Sequence, residues 1–188
     1  MRSFFVMMLV SLCGSGMAQA VEYSQVLPGE SRVQFAYTQM GVPMDGSFGK
    51  FQAQVHFDPA QPAHASAQID IDIASIDTGS AEANSEVLGV VWFDAKTHPR
   101  ASFVATGMQA LGGARYLASG QLTIKGHTQA VQVPVTFQAL GARGVFEGSL
   151  DIKRLDYAIG TGEWADVSAV ADEIRIRFHI VVQPATYK

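Results

Sequence analysis

The sequence predicts an all-β protein: eight antiparallel strands in an up-and-down barrel, with one short helical insertion near residues 80–92. Three observations predict it. Apolar and polar residues alternate with a period of two in eight separate runs, the pattern of strands buried on one face. The runs are punctuated by Gly, Pro and Asp turn signals at the spacing of sandwich or barrel strands. One segment alone carries helical spacing. Between sandwich and barrel, closure favours the barrel, because a closed sheet leaves no free strand edge to pair with other chains. The Cys…Trp…Cys frame of an immunoglobulin-type sandwich is also missing.

Taken in chain order, the N-terminus MRSFFVMMLVSLCGSGMAQA has Arg2, an apolar run from Phe4 to Leu12 and a small-x-small site at Ala18-Gln19-Ala20. It reads as a cleavable secretory signal peptide over residues 1–20, and its apolar run is far short of the roughly 20 residues of a spanning helix. A lipoprotein signal would also place a Cys after such a run. Here, however, Leu12 precedes Cys13 where a small residue is expected, and the Ala-x-Ala site follows. Cleavage leaves residues 21–188 as a single exported, soluble domain of 168 residues with no cysteine. That domain is long enough for a sizeable core, and it has no disulfide, zinc thiolate or Cys nucleophile. Losing Arg2 takes the formal charge from −4 to −5. The basic residues form no cluster, which argues against nucleic acid as a partner.

The first strand sets Val33, Phe35 and Tyr37 against Arg32, Gln34 and Ala36; the second carries Phe51, Ala53, Val55 and Phe57. The third sets Ala67, Ile69, Ile71 and Ile73 against Gln68, Asp70 and Asp72. The pattern returns at 101–105, 116–124, 131–137 and 146–152, and ends with Ile174, Ile176, Phe178 and Ile180 against Arg175, Arg177 and His179. Turn signals stand at Asp45-Gly46, Asp58-Pro59 with Pro62, Asp77-Thr78-Gly79, Gly112-Gly113 and Gly126. The helical segment is SAEANSEVLGVVWF, with Ser80 as its cap, Glu82 at its positive end, and Leu88 and Trp92 spaced i,i+4. Pro134 removes a ladder donor from its strand, which suits an edge or irregular position.

The stretch GQLTIKGHTQAVQVPVTF, Gly120 to Phe137, holds His127 between two apolar runs. Gly126 supplies the positive φ of a tight reversal, and no second His, carboxylate or nucleophile lies near His127 in sequence, so it reads as a turn residue. Together with IDIASIDTG, WFDAKTHPRASF and RLDYAIGTGEWAD, this stretch resembles the YceI-like family over essentially the whole chain after residue 20. The resemblance implies an exported, periplasmic, lipocalin-like barrel that holds a polyisoprenoid chain. The chain departs from the family pattern at Glu30-Ser31, at Trp92-Phe93-Asp94 and at Ala83-Asn84.

No catalytic set emerges. The five histidines lie on separate segments, with His56 and His64 placed to approach each other across a hairpin. Asp70 and Asp72 sit on a polar strand face, suited to pairing with Arg175 and Arg177. There is no G-x-S-x-G elbow and no G-x-G-x-x-G in a βαβ setting. One residue breaks its pattern: counting Phe146, Gly148, Leu150, Ile152, the next inward position is Arg154, a charge that needs a partner. It either pairs structurally with Asp156, Glu163 or Asp166, or meets the polar head of a lipid at the barrel mouth.

The inward parity nominates a ligand-binding set. Its aromatic members are Phe35, Tyr37, Phe51, Phe57, Phe103, Phe137 and Phe178; Ile71 and Ile152 join them on parity, Trp92 from the insertion and Arg154 at the mouth. The same stripes serve a barrel plugged by its own side chains or one with room for a ligand. The family resemblance favours the hollow reading: a non-enzymatic carrier whose ligand is an isoprenoid or quinone-type lipid and which needs neither metal nor cofactor. It also suggests transient contact with the inner membrane or a membrane cytochrome, and pairing as a dimer is compatible with the sequence. The alternatives are a filled scaffold acting through its surface, and an enzyme using Arg154, Glu163 and Asp166.

Overall fold

All eight alternating runs are strands in the computed structural model, which describes residues 21–185. The expected signal peptide lies outside the described residues. The strands are β1 (Tyr23–Val26), β2 (Arg32–Gln39), β3 (Val42–Phe48), β4 (Phe51–His56), β5 (Ser66–Asp72) and β6 (Ile76–Asp77), followed by β7 (Arg100–Gly112), β8 (Arg115–Ile124), β9 (His127–Leu140), β10 (Arg143–Lys153) and β11 (Glu173–Pro184). The described residues thus hold eleven strands, not eight. The additions are β1, β3 and β6. β6 has two residues and β1 four, too few to show a period.

β3 was masked by its composition. It contains Pro43, Asp45 and Gly46, and the Asp45-Gly46 pair expected to turn lies in mid-strand opposite Ala36 and Phe35. Gly46 is there for packing: a Cβ on it would fall 2.2 Å from the Phe35 ring. Cross-strand contact overrides local propensity at this point.

The sheet is antiparallel throughout, in the order β4-β5-β7-β8-β9-β10-β11-β2-β3-β6, with β1 paired to β11. The chain bends from β3 into β4 at Gly49-Lys50, and from β5 into β6 through the 3-10 turn Ile73–Ser75. The two bends lie side by side, with Gly49 N donating to Ser75 O at 2.9 Å and Asp72 N to Lys50 O at 3.0 Å. Each outermost strand of the ladder therefore continues a strand from its other end, and the sheet curls round an interior.

The β9–β10 ladder is incomplete, stopping at Val135 and Gly148, while β9 stays paired with β8 down to His127. Phe137 N donates to Ala114 O on the β8 side. Backbone groups alternate along a strand, so Pro134 faces β10, where its missing N–H ends the ladder.

The helix α1 covers Ala81–Val87, shorter than the expected insertion to residue 92. Ser80 Oγ accepts from Ala83 N at 3.2 Å, as a cap should. Gly89 and the β-branched Val90 and Val91 are poor continuations. The segment turns instead, Asp94 N donating back to Gly89 O at 2.8 Å.

Two buried clusters close the interior. At the end carrying β1 and the β9–β10 turn, the plug end, Tyr23, Phe57, Tyr116, Phe137 and Phe146 interlock; Phe57 stands 4.7 Å from the Phe137 centroid and 5.1 Å from that of Phe146. At the opposite end, the latch end, Trp92, Ile152, Tyr157, Ile159 and Val170 form the second cluster.

Candidate functional site: an apolar cavity

Between the clusters the interior is empty, a cavity of about 300 Å³, at the lower end of the range for small-ligand sites. Burial along the strands registers it. Phe48, Ile69, Ile71, Leu150, Ile176 and Phe178 all line the cavity yet are only half-buried, because part of their surface faces open space. An interior plugged by its own side chains would bury them fully. Exposed residues border the cavity at both ends, Gln39 and Glu86 at the latch end and the paired His56 and Ser66 of β4 and β5 at the other.

Nine of the eleven nominated residues border this space: Phe35, Tyr37, Phe57, Ile71 and Phe103 from the first half of the sheet region, then Trp92, Ile152, Arg154 and Phe178. Phe51 and Phe137 do not. Phe137 is enclosed in the aromatic plug, 4.9 Å from Tyr23 and 4.7 Å from Phe146, and Phe51 packs against that cluster. Parity gives the face of a residue but not its height within the curled sheet, and these two sit where the inside is filled.

Sequence reading missed two contributors. Ala83, Glu86 and Val87 of α1 line the cavity at i, i+3, i+4, a helical stripe that was legible had the helix been ended at Val87. Ile159, Trp164 and Val170 come from an irregular segment with no period to read.

Arg154 organises that segment. It is 1% exposed and donates all five of its N–H groups to backbone carbonyls. Nε reaches Ala171 O at 3.2 Å; Nη1 reaches Ile159 O and Gly160 O, each at 2.9 Å; Nη2 reaches Trp164 O at 2.7 Å and Val170 O at 2.8 Å. Neither expected role holds in full: the guanidinium is structural, but its hydrogen bonds go to carbonyls and not to Asp156, Glu163 or Asp166, and no donor is left for a lipid head. Burial pushes its pKa below the usual arginine value, against a smaller opposing pull from Asp172.

Gly160, at φ 73°, makes this possible, since a Cβ there would lie 2.4 Å from Arg154 Nη1. Lys125 binds the neighbouring loop, its Nζ donating to Val90 O at 2.8 Å and Ala158 O at 2.7 Å; burial lowers its pKa. Trp92 and Trp164 pack with centroids 5.3 Å apart and planes tilted by 51°, and the Arg154 guanidinium carbon lies 5.8 Å from the Trp92 centroid.

Elsewhere the groups weighed for chemistry disperse. His127 opens β9, exposed, after the Lys125-Gly126 turn at φ 50° and 77°. His56 meets Glu22 at 3.3 Å and His64 meets Gln61 at 3.3 Å, so the two histidines do not come together. Arg175 and Arg177 pair with Asp151 and Asp45; Asp70 accepts from Gln68 and Asp72 caps the 3-10 turn at Ala74.

The comparisons agree with this geometry. A YceI-like domain matches residues 25–182. A UPF0312 protein of Azotobacter vinelandii is 27% identical over 157 residues, covering 79% of this chain and 82% of that protein. The crystal structure of Burkholderia cenocepacia BcnA superposes with a TM-score of 0.82 at 49% identity, covering 86% of this chain and 100% of that one. A polyisoprenoid binding domain from Saccharophagus degradans, implicated in plant cell wall breakdown, shares the fold with a TM-score of 0.70 at 19% identity, covering 88% and 99%. A curled antiparallel sheet with these motifs in this order, matched along most of its length, is a member of the YceI-like family.

Proposed function

We propose that the protein is a non-enzymatic carrier of a long-chain apolar lipid, an isoprenoid or quinone-type molecule, working in the periplasm as a lipocalin-like barrel. The observation that carries the reading is the cavity: about 300 Å³ of space bordered by half-buried apolar side chains from most of the strands. A hydrocarbon chain needs no more than that, since each CH₂ withdrawn from water contributes about 0.8 kcal/mol without a polar contact. The likeness in fold to the Saccharophagus polyisoprenoid binding domain supports the choice of lipid, and the signal-like residues 1–20 support export. A filled scaffold does not account for the empty interior.

Loading from the inner membrane belongs to the same proposal. Met40 (79% exposed), Val42 and Val90 (73% exposed) stand at the latch end, where exposed Gln39 and Glu86 border the cavity. Native mass spectrometry on protein purified gently from its own periplasm tests the carrier reading. The expected result is an extractable long-chain lipid in substoichiometric to equimolar amount, reloaded after delipidation. Protein that carries none and takes up none ends the proposal.

A further inference from the structure

Trp92 is 7% exposed and borders the cavity, and its Nε1 is the one buried side-chain nitrogen or oxygen among the described residues that has no hydrogen-bond partner. Buried donors are almost always paired, so an orphan beside an empty space calls for an explanation. Carbonyls of the segments packed around the Trp92 ring already accept other donors. Arg154 occupies those of Ile159, Gly160, Trp164, Val170 and Ala171; Gly160 N and Thr161 N both donate to Val91 O at 2.9 Å; Lys125 occupies Val90 O. Among the described residues no acceptor meets this N–H, and one carried by a bound ligand would satisfy it.

We propose that Trp92 is a specificity residue, and that its indole N–H hydrogen-bonds a neutral oxygen acceptor, a carbonyl of the ketone or quinone kind, on the polar end of the lipid. The inference rests on the carrier reading and narrows its ligand class. An indole is a donor without an acceptor lone pair, so it rewards a carbonyl and offers nothing to a bare hydrocarbon. Of the other polar side chains bordering the cavity at this end, Thr78 Oγ1 is already committed to Asn84 at 2.8 Å and the five donors of Arg154 are spent, while Gln39 and Glu86 are exposed and Tyr37 contributes a half-buried hydroxyl. Neutral donors are also too little to compensate the desolvation of a charged phosphate head. The polar end therefore sits at the latch end and the tail runs toward the aromatic plug.

The chain has two tryptophans, so an ¹⁵N-labelled, delipidated sample gives two indole cross-peaks, and Trp92→Phe assigns them. Titrate with undecan-2-one and with undecane, which differ by one carbonyl. The ketone is expected to move the Trp92 indole proton downfield while undecane is not. Trp92→Phe is expected to weaken ketone binding roughly tenfold while leaving undecane binding nearly unchanged. Equal responses to the two probes, or an unchanged affinity ratio in Trp92→Phe, overturn the proposal and point to the tilted Trp164 ring as the partner of the N–H. Failure of both probes to bind removes the carrier reading, and this inference with it.

Discussion

Arg154 shows how much one side chain can hold. A guanidinium presents five N–H groups in a fixed plane, and here each meets a different carbonyl of the segment from Ile159 to Ala171. Lysine keeps the charge but has three donors on a point-like head, so Arg154→Lys leaves buried carbonyls unpaired at about 1–3 kcal/mol each. The expected cost is more than about 3 kcal/mol, read by chemical denaturation followed through circular dichroism. A loss under about 1 kcal/mol, the range of an ordinary surface substitution, would mean that the segment is held some other way. The position was legible, because parity placed a charge on the inward face. Its partners were not: backbone carbonyls carry no side-chain signature, and a segment with no period gives no hint of where its carbonyls point.

Strands and turns divide in the same way. Alternation located β2, β4, β5 and β7 to β11, because one side of each faces apolar surroundings and the other water. It could not locate β3, where Asp45-Gly46 imitates a turn and the need is for a bare backbone beneath the Phe35 ring. Pro134 was correctly marked as a site of ladder loss, and the structure adds its direction, toward β10. Pro134→Thr restores a donor on that side. The expected outcome is slower amide exchange through residues 132–134 and a gain of about 0.5–1.5 kcal/mol as the ladder extends past Gly148. Unchanged exchange would place the cause of the split in the β10 side of the seam.

For the molecule as a whole, the same apolar stripes suit a hollow or a solid interior, so the cavity had to be seen; Phe137 fills the plug and Phe178 borders the space, yet they read alike in sequence. The difference lies in how high each sits within the curled sheet, which depends on strand stagger and not on parity. Leu150→Trp combined with Ile69→Phe adds bulk where both side chains now face open space. The double variant is expected to fold with an unchanged far-ultraviolet spectrum and to retain several-fold less lipid by extraction and mass spectrometry. Full retention would locate the lipid elsewhere. The paired indoles carry a last consequence. Because Trp92 and Trp164 are the whole tryptophan content and stand 5.3 Å apart, their excited states couple. A dichroic couplet and the intrinsic emission of the unlabelled chain therefore both report from one end of the molecule, so loosening of the segment stitched down by Arg154 can be followed by circular dichroism and fluorescence without attaching a dye.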